Sequence, residues 1–395
     1  MALKSNKTAM SVAIQPTRDT YEVPNSTTDL LPGLSNLRIQ QDGVTIADDT
    51  YTGSIFRNAD QIAGKRVTIT GTLKIKPPAT LPAANAYVPG RIFQSAKFAE
   101  LRNATTIPSG GAEALGVGVD AKTATLGSTA SSTAGLYKGY PIKIGAGAYK
   151  DAMTAIRSYD ASKHAVLMED WGATPTGNYI IPTFLMYTRD VTDADPAILS
   201  SKIWIDGVLY ELYNIAVTGL RKQVPTSTKQ QAQYPTFEFT MDATIYDIDE
   251  EPTPTIGALG AVPLFKDGKD ILNYVEFGAS NLSIDFGLQS ESPPNGNQVD
   301  GNDAPELTGG TATASLTMQK YRPSSGLDTQ ALADAQTYHP FFRQWGNAAG
   351  NLVQITIPDA RLNFPNPDLS GATANENVDL FIDVLSRNMN MTFTY

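Results

Sequence analysis

Carboxylates carry most of the chemical potential of this sequence, because the other usual reagents are scarce. The 395 residues include no cysteine and only two histidines, His164 and His339. A thiolate nucleophile, a disulfide framework, an iron–sulfur cluster, a cysteine zinc site and a histidine-rich metal site are therefore excluded within one chain. Asp190, Asp193 and Asp195, and separately Asp247, Asp249 and Glu250, are dense enough to suggest calcium. Neither run has the Gly and Glu spacing of a helix–loop–helix calcium site, so both read as solvated turns. Gly145-Ala146-Gly147 lacks the third Gly and the helix of a dinucleotide site, and no G-x-x-x-x-G-K-[ST] loop occurs. Nothing isolates an acid in an apolar pocket for glycoside chemistry. His164, beside Lys163, reads as exposed, and His339, before Pro340, as a packing residue at a helix start. No catalytic residue, metal ligand or cofactor is assigned, and an enzyme is not expected.

What remains for the acids is electrostatics. Lys+Arg number 30 against Asp+Glu 40, a net charge of −10. Gripping nucleic acid requires clustered cations, so this balance suits a surface that must not adhere to a polyanion. Glu238 and Asp242 lie on one face of an alternating segment, and Asp379 and Asp383 repeat that spacing near the C-terminus. Such acids either line a surface that repels phosphates or are ordinary solvated strand residues. Arg66, Lys74 and Lys76 share the polar face of a neighbouring segment.

The elements that would position them read as β. Hydrophobic residues make up 41%, enough for real cores, and Gly 32 with Pro 25 favours turn-rich architecture. Length suggests two or three domains. The N-terminus lacks the apolar core of a signal peptide. The run Tyr179 to Tyr187 is too short to span a bilayer. A soluble chain in a cytoplasm is the expectation. Residues 1–33 read as an arm and 35–41 as a strand. A long acidic loop over 41–64 carries Asp42, Asp48, Asp49 and Asp60. Val67, Ile69, Gly71, Leu73 and Ile75 alternate with Thr68, Thr70, Thr72, Lys74 and Lys76, which gives a strand with one buried face. A helix is predicted over Gly90 to Asn103, and a hairpin around Asp206-Gly207. A second alternating strand covers Phe237 to Ile245, followed by an acidic, proline-stiffened linker.

The region after the linker echoes the region before it. Ser280-Asn281-Leu282-Ser283-Ile284 repeats Ser35-Asn36-Leu37-Arg38-Ile39. Thr311, Thr313, Ser315, Leu316 and Met318 repeat the types of Thr68, Thr70, Thr72, Leu73 and Ile75. Asp379 and Asp383 flank Leu380 and Ile382 as Glu238 and Asp242 flank Phe239 and Met241. A helix near Pro340 to Trp345 would match the earlier one, and the loop from Gln289 to Glu306, with Asp300, Asp303 and Glu306, would match the acidic loop. Ordered matches of this kind point to an internal duplication.

The order of arm, strand, acidic loop, Thr-rich strand, helix, Asp-Gly hairpin, Gln-rich loop and closing strand resembles the major tail tube proteins of long-tailed bacteriophages. The residues that carry the resemblance are Gly71-Thr72-Leu73-Lys74-Ile75, Pro89 to Leu101, Asp206-Gly207, Ala216-Val217-Thr218-Gly219 and Tyr234-Pro235-Thr236-Phe237-Glu238-Phe239. Within it, Leu136-Tyr137-Lys138-Gly139-Tyr140-Pro141-Ile142-Lys143-Ile144, Ile156-Arg157-Ser158-Tyr159-Asp160 and Trp171 to Tyr179-Ile180-Ile181 resemble a small β module of phage structural proteins, with Ala161 where Gly is usual.

The resemblance implies a mainly β chain of two tandem tail-tube β-sandwich or barrel domains, each with a flanking helix, plus a small inserted β domain. Its boundaries would be an arm at 1–33, a first tube domain at 34–112 and 187–250, an inserted decoration module at 113–186, a linker at 251–260 and a second tube domain at 261–395. It implies homotrimeric rings with pseudo-sixfold symmetry, stacked into a tube through which phage DNA passes without specific binding. Tail tape measure, terminator and baseplate proteins would be partners, with no membrane involved and the virion as location after assembly in the host cytoplasm. Glu238, Asp242, Asp379 and Asp383 are the candidates for a lumen. The arm and the loops bearing Asp42, Asp48, Asp49, Asp60, Asp300, Asp303 and Glu306 are the candidates for ring stacking. The rival expectation is a carbohydrate-binding or adhesin-like tail protein, with Tyr137, Tyr140 and Trp171 lining a sugar site.

Overall fold

The computed structural model describes residues 4, 7–47, 59, 61–192, 194–229, 231–298, 301–370 and 374–395. Asp48, Asp49, Asp60, Asp193 and Asp300 lie outside the described residues. The protein is mainly β. Before the linker the elements are β1 (Thr8–Ile14), β2 (Leu34–Ile46), β3 (Gln61–Lys74), α1 (Val88–Ser95), β4 (Phe98–Asn103), β5 (Glu113–Ala114), β6 (Thr123–Thr125), β7 (Pro141–Ile144), α2 (Tyr149–Ala152), β8 (Met153–Tyr159), β9 (His164–Leu167), β10 (Asn178–Ile180), β11 (Phe184–Arg189), β12 (Leu199–Ile205), β13 (Val208–Pro225) and β14 (Thr236–Glu250). After it come β15 (Lys269–Leu272), β16 (Val275–Glu276), β17 (Ala279–Asp285), β18 (Leu288–Glu291), β19 (Glu306–Gly310), β20 (Thr313–Gln319), α3 (Thr329–Ala335), β21 (His339–Trp345), β22 (Leu352–Leu362), β23 (Asn366–Asp368), β24 (Asn375–Ile382) and β25 (Asn390–Thr394).

Two sets of antiparallel strands dominate. The first runs β2-β3-β14-β13 and the second β17-β20-β24-β22/β23. β13 joins them, because its last residues, Arg221 to Pro225, pair with Asp285 to Asn281 of β17. Period-two side chains explain the burial. Val67, Ile69 and Leu73 on β3, and Phe237, Phe239 and Met241 on β14, are buried in one core with Leu282, Ile284, Leu316 and Leu380 of the second set. β5 to β10 form a separate six-stranded sheet.

Several expectations are corrected. Residues 8–14 are no arm: β1 pairs with β12 from Thr8–Ile205 to Ile14–Leu199, with Ala9, Met10 and Val12 fully buried. Its small and apolar residues are covered on both faces, which a solvated arm would not require. The acidic loop is shorter than predicted, because β2 extends to Ile46 and β3 starts at Gln61. The predicted helix over 90–103 stops at Ser95. Lys97 takes a left-handed conformation (φ 67) that ends it, and Phe98 to Asn103 pair with β11. Pro340 to Trp345 is strand rather than helix: β21 lies between β15 and β22, and all seven of its residues are buried. The helix of this half is α3, capped by the Asp328 carboxylate accepting from the Ala331 N–H. Tyr137 and Tyr140 are buried in the core of the six-stranded sheet, with Tyr137 edge-on to Tyr140 and Tyr159. They cannot form an exposed sugar platform.

Candidate functional site

The ladders carry one polar face across eight strands. Residues directly opposite one another share a face, so the pairings trace rows across the sheet. One row runs Ser35, Thr72, Glu238, Arg221, Asp285, Thr313, Phe381, Arg361. A second row runs Lys74, Thr236, Gln223, Ser283, Ser315, Asp379. The opposite faces of the same strands are the buried core.

Three of the four expected acids lie on this polar face. Glu238 accepts from Gln223 Nε2 (3.2 Å). Asp242 accepts from Arg66 Nη2 (2.8 Å), and Asp379 from Ser315 Oγ (2.6 Å). Asp383 lies beyond the end of β24 and accepts from the Val384 N–H (2.7 Å). The Tyr338 hydroxyl beside it holds its carboxyl below the usual range. The face also carries Arg38, Arg66, Lys74, Arg221 and Arg361, so it is a mixed rather than an acidic surface. Sequence parity identified the acids and, on β3, Arg66 and Lys74, but not Arg38, Arg221 and Arg361, which β2, β13 and β22 bring to the same face.

The other expected residues are dispersed. Asp42 accepts from Gln40 Nε2 at 3.0 Å through both oxygens, on the exposed part of β2. Asp303 accepts from Asn295 Nδ2 (2.7 Å) within its own loop. Glu306 pairs with Arg18 (2.7 Å), which ties the start of β19 to the segment between β1 and β2. Among the described residues, no group of three or more His, Cys, Asp and Glu is placed to hold a metal ion, and no helix is long and apolar enough to cross a membrane.

Two buried features escaped the sequence reading. Lys222 follows the inward parity of Leu220 and Val224 and is 1% exposed. Among the described residues its Nζ has no hydrogen-bond partner, and it lies over the rings of Phe237 and Trp345. Burial, with Arg343 nearby, drives its pKa well below the ordinary lysine value. Arg343 donates to both oxygens of Asp270 (2.5 and 3.0 Å) and to the Val224 carbonyl (2.9 Å). The signal available in the sequence was a cation at an apolar parity, Leu220-x-Lys222-x-Val224.

The six-stranded sheet is fastened to the second set rather than free. Asp359 accepts from Lys138 and Arg157, both at 3.1 Å, and Lys269 pairs with Glu169 at 2.9 Å. Ala155 and Met168 share a small buried cluster with Ile271 and Phe342. This sequence matches no protein-family model and no curated protein.

Proposed function

We propose that this chain is a structural virion protein, the tube subunit of a long-tailed phage, and acts by assembly rather than catalysis. In this reading, 34–112 with 187–250 and 261–395 are two tube domains, and 113–186 is an inserted module. Three chains supply six domains to a ring, and stacked rings form a conduit for DNA in the virion tail. Tape measure, terminator and baseplate proteins would meet the ends of such a tube.

The observation that carries the reading is the repetition of one ladder. Thr72 opposes Glu238 as Ser315 opposes Asp379, Thr70 opposes Thr240 as Thr313 opposes Phe381, and Lys74 opposes Thr236 as Thr317 opposes Asn377. These are the positions that the sequence repeat aligns. The first strand of each set departs from that alignment. Ile39 opposes Ile69 whereas Ile284 opposes Ala314, a slip of two residues that keeps every side chain on its face. Two such sets, joined edge to edge in one sheet with a polar face and a buried face, suit the wall of a pore. A face that mixes Thr, Ser and both charges offers DNA no cluster of cations to grip.

Concentrated protein should form hollow tubes whose averaged end views show threefold symmetry with sixfold pseudo-symmetry. Particles that stay single at every concentration would overturn the reading. The arm has no part in it as a stacking device: removing residues 1–25 deletes β1 from the core, so that truncation should prevent folding rather than stacking.

A further inference from the structure

The seam inside the chain has a matching pair of open edges at the ends of the sheet. Among the described residues, β2 pairs only with β3, and β23 only with β24. The ladders identify what each edge corresponds to. Leu34 opposes Leu73 as Leu282 opposes Leu316, and Leu73 aligns with Leu316 in the repeat. Leu34 is thus the counterpart of Leu282, Ser35 of Ser283, and Arg38 of Asp285. On the other side, Gln223 opposes Thr236 as Asn366 opposes Asn377. Asn366 is thus the counterpart of Gln223, and Pro367 of Val224.

We infer that β23 of one copy pairs with β2 of the next copy in the register of the β13–β17 seam: Asn363 with Arg38, Asn366 with Ser35, Pro367 with Leu34, and Asp368 with Gly33. This inference rests on the ring reading and names the interface that would close the ring.

Three observations carry it. The first is a matched irregularity. In the internal seam Arg221 and Gln223 oppose Asp285 and Ser283 with one residue between each pair. At the open edges both sides carry one residue more. β2 has a bulge between Ser35 and Arg38, and the chain has an extra residue between Leu362 and Asn366, which oppose Leu380 and Asn377. The two insertions fall opposite each other, so the register survives both.

The second is hydrogen-bonding direction. The Gly33 carbonyl accepts from the Lys74 N–H (3.2 Å), so the next residue, Leu34, turns its N–H and carbonyl away from β3. The Asp379 carbonyl accepts from the Asn363 N–H (2.8 Å), which places Asn377 and Asn375 on the same side of β24. Asn366 and Asp368 therefore bond inward and Pro367 faces out. Val224 faces out at the equivalent place, as the bonds from Phe286 N–H to the Leu220 carbonyl (3.2 Å) and from Thr226 N–H to the Ser280 carbonyl (2.9 Å) show. Pro367 has no N–H, so two copies of this edge paired at Pro367 would have no donor between them there, whereas Leu34 supplies one to the Pro367 carbonyl. That favours head-to-tail closure over a two-fold dimer.

The third is exposed apolar surface. Phe364 (52% exposed) lies in the β23-side insertion, Leu369 just beyond β23 and Phe381 on β24 are also exposed, and Leu34 and Leu37 on the β2 edge are only partly covered. Phe364 would meet Asn36 and Leu37.

The absence of cysteine makes a direct test possible. Asn366 and Ser35 both bond towards their own sheets, so across the seam they form the close type of pair suited to a disulfide. The full chain carrying Ser35→Cys and Asn366→Cys, oxidised at tube-forming concentration, should give covalent dimers and closed trimers on a non-reducing gel. Gln223→Cys with Ser283→Cys should give an intramolecular bridge as the folding control, and Arg38→Cys with Asn366→Cys should give none. Rings in micrographs without 35–366 cross-links would overturn the seam and leave the ring reading standing. A 35–366 bridge confined to single chains would overturn the seam. No rings and no cross-links would overturn both.

Discussion

The seam inside the chain and the edges outside it are built on equivalent strands yet differ in what covers them. At β13–β17 the apolar side is sealed, so completely that the Lys222 amine lies against Trp345 with no hydrogen-bond partner among the described residues and Arg343 binds Asp270. At β23 the corresponding stretch leaves Phe364 and Leu369 in solvent and carries Pro365 and Pro367. Within one chain the neighbouring strands are always present, so buried charge can be matched once and for all. An edge that joins another copy, as proposed for β23, would have to stay soluble alone, and proline would limit the wrong pairings.

The largest expected effect breaks the sealed side. Asp270→Ala leaves the Arg343 guanidinium buried and uncompensated and should cost about 3–5 kcal/mol, measured by denaturant unfolding. Next comes the fastening of the six-stranded sheet. Asp359→Ala removes the acceptor of two partly buried cations and should cost about 1.5–3 kcal/mol, with faster limited proteolysis between 113 and 180. Lys222→Met sharpens the contrast in the opposite direction. It fills the same space without a charged form to desolvate and should stabilise the protein at pH 7 by about 1–3 kcal/mol.

The same variant fixes a pH dependence. Burial lowers the folded pKa of Lys222, so between that value and the ordinary lysine pKa the unfolded chain binds more protons than the folded one. Stability should therefore rise with pH through that window and level off above it. Lys222→Met should abolish this part of the rise, which unfolding curves at several pH values will show. The smallest effect belongs to the open polar face. Arg66→Ala removes a pair whose arginine is 64% exposed, and should change stability by less than about 1 kcal/mol.

Much of the ladder was legible because period two is written directly in residue type. Val67 to Ile75 and Phe237 to Ile245 alternate as strands with one wet face, and Asp206-Gly207 marks its hairpin. The repeat of Glu238 and Asp242 as Asp379 and Asp383 pointed to equivalent ladders, although Asp383 falls outside its strand. Failures came where burial is two-sided. β1 and β21 carry too little alternation to show as strands, since both of their faces are covered. The helix prediction over 90–103 ran on because Phe98 and Leu101 fit an apolar helical face as well as a strand, and only the partner β11 decides between them.

By itself the sequence determined a β-rich, cysteine-free, acidic chain whose alternating strands recur in order, because those features depend on local residue types alone. The tertiary structure decided the register between strands, the slip of two residues in the first strand of the second set, the arrival of Arg38, Arg221 and Arg361 on the polar face and the burial of Lys222. Each of these depends on which strand lies alongside, and that is fixed by packing between residues far apart in the chain.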